Sequence, residues 1–170
     1  HTRYGTVTGV QTCALPIWNI KTVEQVTHDC IILHLNRNVR AQTSALPLPS
    51  YACWHIRMHA KAADGTLVSR PYTPLSSIAD FCSGNISLLI KIYPSGKFTP
   101  IIGKLRANDT ILVSTPDPTF SLDTEGKSEF FLLFAGTGVT PILQICKWLL
   151  LSGDRKSTRL NSSHSSVSRM

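Results

Sequence analysis

Apolar and polar residues alternate over short runs through most of this chain, the two-residue period of strands with one face on a core and the other in water. Residues 19–26 and 30–35 are two such runs, rich in β-branched side chains and split by the turn-prone Thr27-His28-Asp29. A third strand is predicted at Trp54-His55-Ile56-Arg57-Met58-His59, and Asp64-Gly65 makes a hairpin turn into a fourth over residues 67–72. Residues 86–93 alternate most clearly, and a short helical stretch near 98–105 leads to a sixth strand over 110–115. Residues 40–50, with two prolines and small polar side chains, read as a loop. Six strands at this spacing predict a mainly β molecule built on a small antiparallel barrel.

The pattern then changes. Residues 130–134 form an unbroken apolar run, as a buried parallel strand does. They enter Ala135-Gly136-Thr137-Gly138-Val139-Thr140-Pro141 and an apolar helix over residues 142–151, whose Ile142, Ile145 and Leu149 are expected to pack on that strand. A strand–helix unit behind a barrel implies a second domain, here only begun. The expected boundaries are 18–123 for the barrel and 124–153 for the second unit.

The two ends fit neither pattern, and they are related to each other. Read codon by codon, residues 154–170 in reverse are the complementary strand of residues 1–17. Met170 has the single codon ATG, whose reverse complement CAT encodes His1. Arg169 as CGT gives Thr2, His164 as CAC gives Val7, Arg155 as CGG gives Pro16 and Asp154 as GAT gives Ile17. The correspondence runs without a break over all seventeen pairs. The implied DNA resembles an adapter ligated to short-read sequencing libraries. Residues 1–17 and 154–170 are therefore expected to be adapter-derived and non-native, and they are set aside from the fold.

That exclusion changes the charge. Seventeen Lys and Arg against ten Asp and Glu give the whole chain a net charge of +7. Five of the basic residues and one acidic residue lie in the ends, which leaves +3 for residues 18–153. The case for a basic tail on nucleic acid goes with them. A mild positive balance suits phosphorylated cofactors and an acidic redox partner. Cys30, Cys53, Cys82 and Cys146 stand far apart with no Cys-x-x-Cys spacing, which points to reduced thiols in a cytosolic setting and to no metal site. No apolar run is long enough to cross a bilayer.

Three motifs carry chemistry. In Arg70-Pro71-Tyr72-Thr73-Pro74-Leu75-Ser76, an arginine at a strand end can clamp a phosphate with its guanidinium fork. Tyr72, two residues on, can lay its ring against a flat cofactor from the same face, and Thr73 offers a hydroxyl to a ring heteroatom. Alone, these are as readily a surface arginine and a core tyrosine. After Leu89-Ile90-Lys91-Ile92-Tyr93, the run Pro94-Ser95-Gly96-Lys97-Phe98-Thr99-Pro100 sets a glycine before a helix start. Unpaired amides and the Thr99 hydroxyl could cradle a pyrophosphate there. Without the rest of a P-loop it is equally a capped turn. Gly136-Thr137-Gly138-Val139-Thr140-Pro141 lets backbone approach a dinucleotide at a helix N-terminus, though Pro141 stands where a full Gly-x-Gly-x-x-Gly would end.

In this order the motifs resemble the ferredoxin–NADP reductase superfamily and, within it, the cytochrome-b5 reductase family. That family has Arg-x-Tyr-Thr-x-x-Ser, then a Val/Ile-Lys-Val/Ile-Tyr strand, then Gly-Lys/Arg-x-Ser/Thr, then Gly-Thr-Gly-Ile/Val-Thr-Pro, and all four stand here. The resemblance covers essentially residues 18–153. Tyr93-Pro94-Ser95-Gly96, with the opening Trp18-Asn19-Ile20-Lys21, is most similar to the reductase domain of proteins fusing cytochrome-b5, CS-type and reductase domains. Cys53-Trp54-His55 stands where the family has Gly-Gln-His, and Asp117-Pro118 replaces the glycine usual after Pro116.

The resemblance implies a six-stranded antiparallel Greek-key FAD-binding barrel followed by the first βα unit of a truncated α/β nicotinamide-binding domain. It implies FAD and NADH (or NADPH) as cofactors, hydride transfer to the flavin, and single-electron delivery to a haem acceptor such as cytochrome b5 or a fused cytochrome-b5 domain. By the same resemblance Arg70, with Pro71 beside it, binds the FAD pyrophosphate, Tyr72 packs on the isoalloxazine and ribityl side, and Thr73 hydrogen-bonds the ring. Leu89 and Lys91 hold the ring and adenine side through their backbone, with Lys91 also near the nicotinamide. Gly96, Lys97, Phe98 and Thr99 cradle the diphosphate. Thr140 sits where hydride arrives, and Gly136, Gly138 and Pro141 shape the nicotinamide approach. Thr73, Lys91 and Thr140 are thus the candidates nearest the chemistry, which needs no acid–base pair.

The strands for the adenosine half and the Cys-Gly-Pro element of the family are missing, so this chain itself is expected to bind FAD weakly and to turn over little. A cytoplasmic place, the cytosolic face of the endoplasmic reticulum included, is implied. Contacts with nucleic acid or membrane are not expected. Three rival readings remain: the reductase module of a flavohaemoglobin or nitrate reductase, a non-enzymatic β-barrel binding module, and an inactive product of a partial transcript. What precedes Trp18 would separate the first, and flavin colour the second.

Overall fold

The computed structural model describes residues 15–37, 52–123, 125 and 129–151. The loop expected over 40–50 lies outside them, as do residues 1–14 and 154–170 of the end segments. Seven strands form one antiparallel sheet: β1 (Ile17–Gln25), β2 (Cys30–Asn36), β3 (Cys53–Lys61), β4 (Leu67–Tyr72), β5 (Asn85–Lys91), β6 (Thr110–Val113) and β7 (Asp117–Phe120). Their order is β4-β3-β6-β1-β2-β5, with β7 on the rim of β3. The hairpins β1–β2 and β3–β4 are local, whereas β5 returns to β2 and β6 slots between β3 and β1, the non-local returns of a Greek key. The outer strands β4 and β5 are joined by hydrogen bonds from the segment after β4. Leu75 N–H donates to Ser87 C=O at 2.8 Å, and Ser87 N–H donates to Ser76 Oγ at 2.7 Å.

The alternation read from the sequence is the alternation of burial. Trp18 and Ile20 of β1, Leu33 and Leu35 of β2, Ile56 and Met58 of β3, and Ile86, Leu88 and Ile90 of β5 all point into one core. Each such side chain contributes about 1.5–3 kcal/mol by leaving water. Helix α1 (Ile78–Cys82) and helix α2 (Thr99–Ile102) close the core with Phe81 and with Phe98 and Ile102. The Phe81 ring lies 5.3 Å from that of Trp18 and 5.9 Å from that of Trp54. The hairpin between β3 and β4 turns at Gly65, whose φ of +82° suits only a residue without Cβ strain.

Three expectations need correction. The barrel has a seventh strand, β7, whose four residues are all exposed and so carry no alternation to read. Residues 130–134 are not a strand: they are irregular, and Phe131 and Leu133 are 88% and 94% exposed. A parallel strand is held by ladders to its neighbours, and no strand lies beside these residues among those described. Helix α3 (Val139–Leu151) begins earlier than expected, behind a 3-10 turn at Gly136–Gly138. It packs chiefly on the barrel, with Ile142, Ile145 and Cys146 against Ala52 and Cys53, while Leu132 and Leu149 only border that cluster.

Candidate functional site

The site is built from the exit of β4 outward. In the β3–β4 ladder Tyr72 lies opposite Ile56 and Arg70 opposite Met58. Opposed residues of an antiparallel pair share a face, so Arg70 and Tyr72 both lie on the core side of this edge strand. Tyr72 is half-buried there, its ring 6.1 Å from that of Phe98 at 34°. Burial pushes its phenol up to about 12, so it stays neutral at physiological pH. Arg70 is exposed, and its Nη1 donates to Ser69 C=O at 2.8 Å. Pro71 is exposed, and Thr73 follows, half-buried, as the strand ends.

On β5, Ser87, Leu89 and Lys91 form the outer face, alternating with buried Ile86, Leu88 and Ile90. Lys91 Nζ lies 3.0 Å from Asp29 Oδ2 and 5.9 Å from the Tyr93 ring centre. The hydrogen bond from Lys91 holds the Asp29 carboxyl down at about 2, with Thr27 helping, and Asp29 in turn raises the Lys91 ammonium. Asp29 reads in the sequence only as a turn residue. Its partnership becomes visible once β2 is laid against β5 with Cys30 opposite Lys91.

Beyond β5 the chain turns tightly. Gly96 N–H donates to Tyr93 C=O at 2.9 Å. The Thr99 hydroxyl accepts from Tyr93 N–H at 2.9 Å and lies 3.2 Å from Tyr93 C=O. A Cβ on Gly96 would meet Thr99 Oγ1 and Tyr93 O, each at 3.1 Å, so the turn favours glycine. The expected cradle is accordingly narrower than its four residues suggested. The Phe98 side chain is 2% exposed and belongs to the core, and the Thr99 hydroxyl closes the turn, while Lys97 is exposed. Phe98 can serve a ligand through its backbone alone.

Gly136 has a φ of +54°, a conformation that side chains resist, whereas a Cβ on Gly138 would meet only Phe134 Cβ at 3.8 Å. Thr140 is 6% exposed and its hydroxyl donates to Thr137 C=O at 3.1 Å, tying the glycine turn to the first turn of α3; Pro141, next to it, is half-buried. The 3-10 turn lies against β5. From α3, Gln144 and Lys147 reach the segment just after Thr73. Neither residue stood out in the sequence. Three motifs separated along the chain are thus gathered between the end of β4 and the outer face of β5. Among the described residues no cluster of His, Cys, Asp and Glu could hold a metal ion.

Barrel and motifs together define a class, the flavin-binding domain that begins many nicotinamide-linked oxidoreductases. The chain belongs to the family of oxidoreductase FAD-binding domains, which matches residues 18–122. Its homologues include cytochrome b5 reductase 4 of Homo sapiens, 38% identical over 95 residues that cover 51% of this chain and 18% of that protein. NADH-cytochrome b5 reductase 1 of Dictyostelium discoideum is 34% identical over 128 residues, covering 72% of this chain and 44% of that one. Among solved structures, the CS-b5R domains of human Ncb5or in the NAD+ form share the fold with a TM-score of 0.63 at 30% identity, covering 82% of this chain and 40% of that one. The chain thus spans less than half the length of these relatives. The expected kinship, the antiparallel barrel and the FAD cofactor are borne out. No helix among the described residues is long and apolar enough to cross a membrane.

Proposed function

We propose that this chain is the FAD-binding part of an NAD(P)H-dependent reductase that delivers electrons to a haem protein of the cytochrome-b5 kind. The observation that carries this reading is the gathering of the Arg70–Thr73 strand end, the outer face of β5 and the Gly136–Gly138 turn around one edge of the barrel. The residues there fit FAD: an exposed guanidinium, a half-buried neutral phenol backed by Phe98, and a tight turn at Gly96 where a Cβ would be crowded. Bound FAD supplies the redox step, taking electrons as a pair and releasing them singly.

The protein's own contribution is grip and orientation. Arg70 holds the diphosphate by charge-assisted hydrogen bonds, with exposed Lys97 adding positive charge. Tyr72 covers the ribityl side of the ring, and Thr73 donates to its edge. Leu89 and Lys91 present backbone from the outer face of β5, and the Asp29 pair keeps the Lys91 ammonium charged and fixed. Gly136, Gly138, Thr140 and Pro141 form the approach for the nicotinamide, NADH being accepted. The four described cysteines, all free, suit a reducing cytoplasmic setting.

The test is purification of the full-length protein containing this segment, followed by anaerobic mixing with NADH and with NADPH. The flavin absorbance should bleach with at least one of them, and oxidised cytochrome b5 should then restore it. A protein that carries no flavin, or whose flavin neither nicotinamide reduces, overturns the reading.

A further inference from the structure

Gln144 is a buried amide, 6% exposed, on a helix whose only other buried polar side chain among the described residues is Thr140, in its first turn. Its Oε1 accepts from Trp54 N–H at 2.9 Å, and its Nε2 donates to Pro74 C=O at 3.0 Å. The orientation follows from chemistry, because a backbone amide can only donate and a proline carbonyl can only accept. The need for the first bond is local. The β3–β7 register shifts between Cys53 and Trp54, and at that irregularity the Trp54 amide donates to Gln144. One turn further along α3, Lys147 Nζ donates to Leu75 C=O at 2.8 Å.

The segment held in this way is the one that follows Tyr72 and Thr73. Between the end of β4 and the start of α1 it has no regular structure of its own. It is fixed on one side by β5, through Leu75 N–H to Ser87 C=O at 2.8 Å, and on the other by Gln144 and Lys147. α3, in turn, continues directly from the Gly136–Gly138 turn. We infer that Gln144 is a positioning residue that sets the ring-binding segment of β4 at a fixed distance from the turn that presents the nicotinamide. This role rests on the function proposed above. It requires that loosening the bridge slow hydride transfer more than it weakens binding of either cofactor, since misplacement of reacting groups by about 1 Å can cost about a hundredfold in rate.

Two variants separate the ends of the bridge. Gln144→Leu removes both hydrogen bonds, whereas Gln144→Glu keeps an acceptor for Trp54 and sets a second oxygen against Pro74 C=O. In the unliganded chain, site-resolved hydrogen exchange should show the Trp54 amide exchanging roughly tenfold faster in Gln144→Leu and near the wild-type rate in Gln144→Glu, which also shows that the glutamate variant keeps α3 docked. The Leu75 amide should exchange faster in both. In the full-length protein, both variants should reduce their flavin roughly tenfold more slowly, with the KM for NADH and flavin retention within about twofold of wild type. A wild-type reduction rate in either variant, or an unchanged Trp54 amide in Gln144→Leu, overturns the inference. A wild-type protein without flavin overturns the role together with the proposed function, and the exchange pattern then still reports whether the bridge exists.

Discussion

Arg70 on β4 and Lys91 on β5 carry the same charge but stand in different settings. Lys91 is paired with Asp29, whereas Arg70 is exposed with a hydrogen bond to its own neighbour's carbonyl. Arg70→Ala should therefore leave the fold intact and weaken FAD binding by about 1.5–3 kcal/mol, the scale of a hydrogen bond to a charged group. Titration of flavin fluorescence against the variant measures it, and undiminished flavin occupancy would remove Arg70 from the proposed role. The Asp29 pair predicts a pH dependence instead. Its carboxyl is depressed from 3.8 to about 2, so its stabilisation is present above the ordinary value and lost as pH falls through the lower one. Thermal melts of wild type and Asp29→Asn should differ by a constant amount near neutrality and converge at the acid end. A difference that persists there would mean that the pair is not what Asp29 contributes. Among the described thiols, burial pushes those of Cys53 and Cys146 up. A thiol reagent at neutral pH should label Cys30 and Cys82 well before those two, and equal labelling would contradict the packing of α3 on Ala52 and Cys53.

At the scale of elements, β1 to β6 could be read because each has one face on the core. Ile86, Leu88 and Ile90 alternate with Ser87, Leu89 and Lys91 as plainly in burial as in sequence. β7 could not, since a rim strand with Pro118 and no buried residue has nothing to alternate. α1 was missed for its shortness, although Ser77 and Asp80 spell a capping box: Ser77 N–H donates to Asp80 Oδ2 at 2.8 Å and Asp80 N–H to Ser77 Oγ at 3.1 Å. Ser77→Ala should cost about 1 kcal/mol in denaturant unfolding, because the cap fixes the helix that sets Phe81 against Trp18 and Trp54. An unchanged midpoint would make the box decorative. Residues 130–134 show the opposite error. Their composition suits a central parallel strand, but a strand is a relation between segments and needs neighbours that composition cannot supply. The motifs were legible for the same reason as the core strands: chemistry ties particular residue types to short spacings. The bonds from Gln144 and Lys147 to the Pro74–Leu75 segment were not, since they join residues about 70 positions apart.

For the whole molecule the open matter is which residues the barrel needs. The complementarity of residues 1–17 and 154–170 is a property of DNA strands, and nothing in it responds to packing or to function. A sequence set in that way should contribute to the fold only what any backbone can. In the described part of the first segment Leu15 and Pro16 are half-buried, and the contacts to the sheet run through the backbone. Pro16 C=O accepts from Val113 N–H at 3.1 Å and Ile17 pairs with Leu112 in the β1–β6 ladder, while the Ile17 side chain is 62% exposed. Deleting residues 1–15 and 154–170 should leave the unfolding free energy within about 0.5 kcal/mol of the intact chain, the usual range for surface changes. Extending the first deletion through Ile17 should cost about 1 kcal/mol, one backbone hydrogen bond and its ordering at the end of β1. Replacing Pro16 and Ile17 with other strand-compatible residues should cost less than removing them. Urea unfolding followed by tryptophan fluorescence reads all three, because Trp18 and Trp54 lie in the core. If the short deletion unfolds the barrel, the ends are structural and their origin in a DNA tag is wrong.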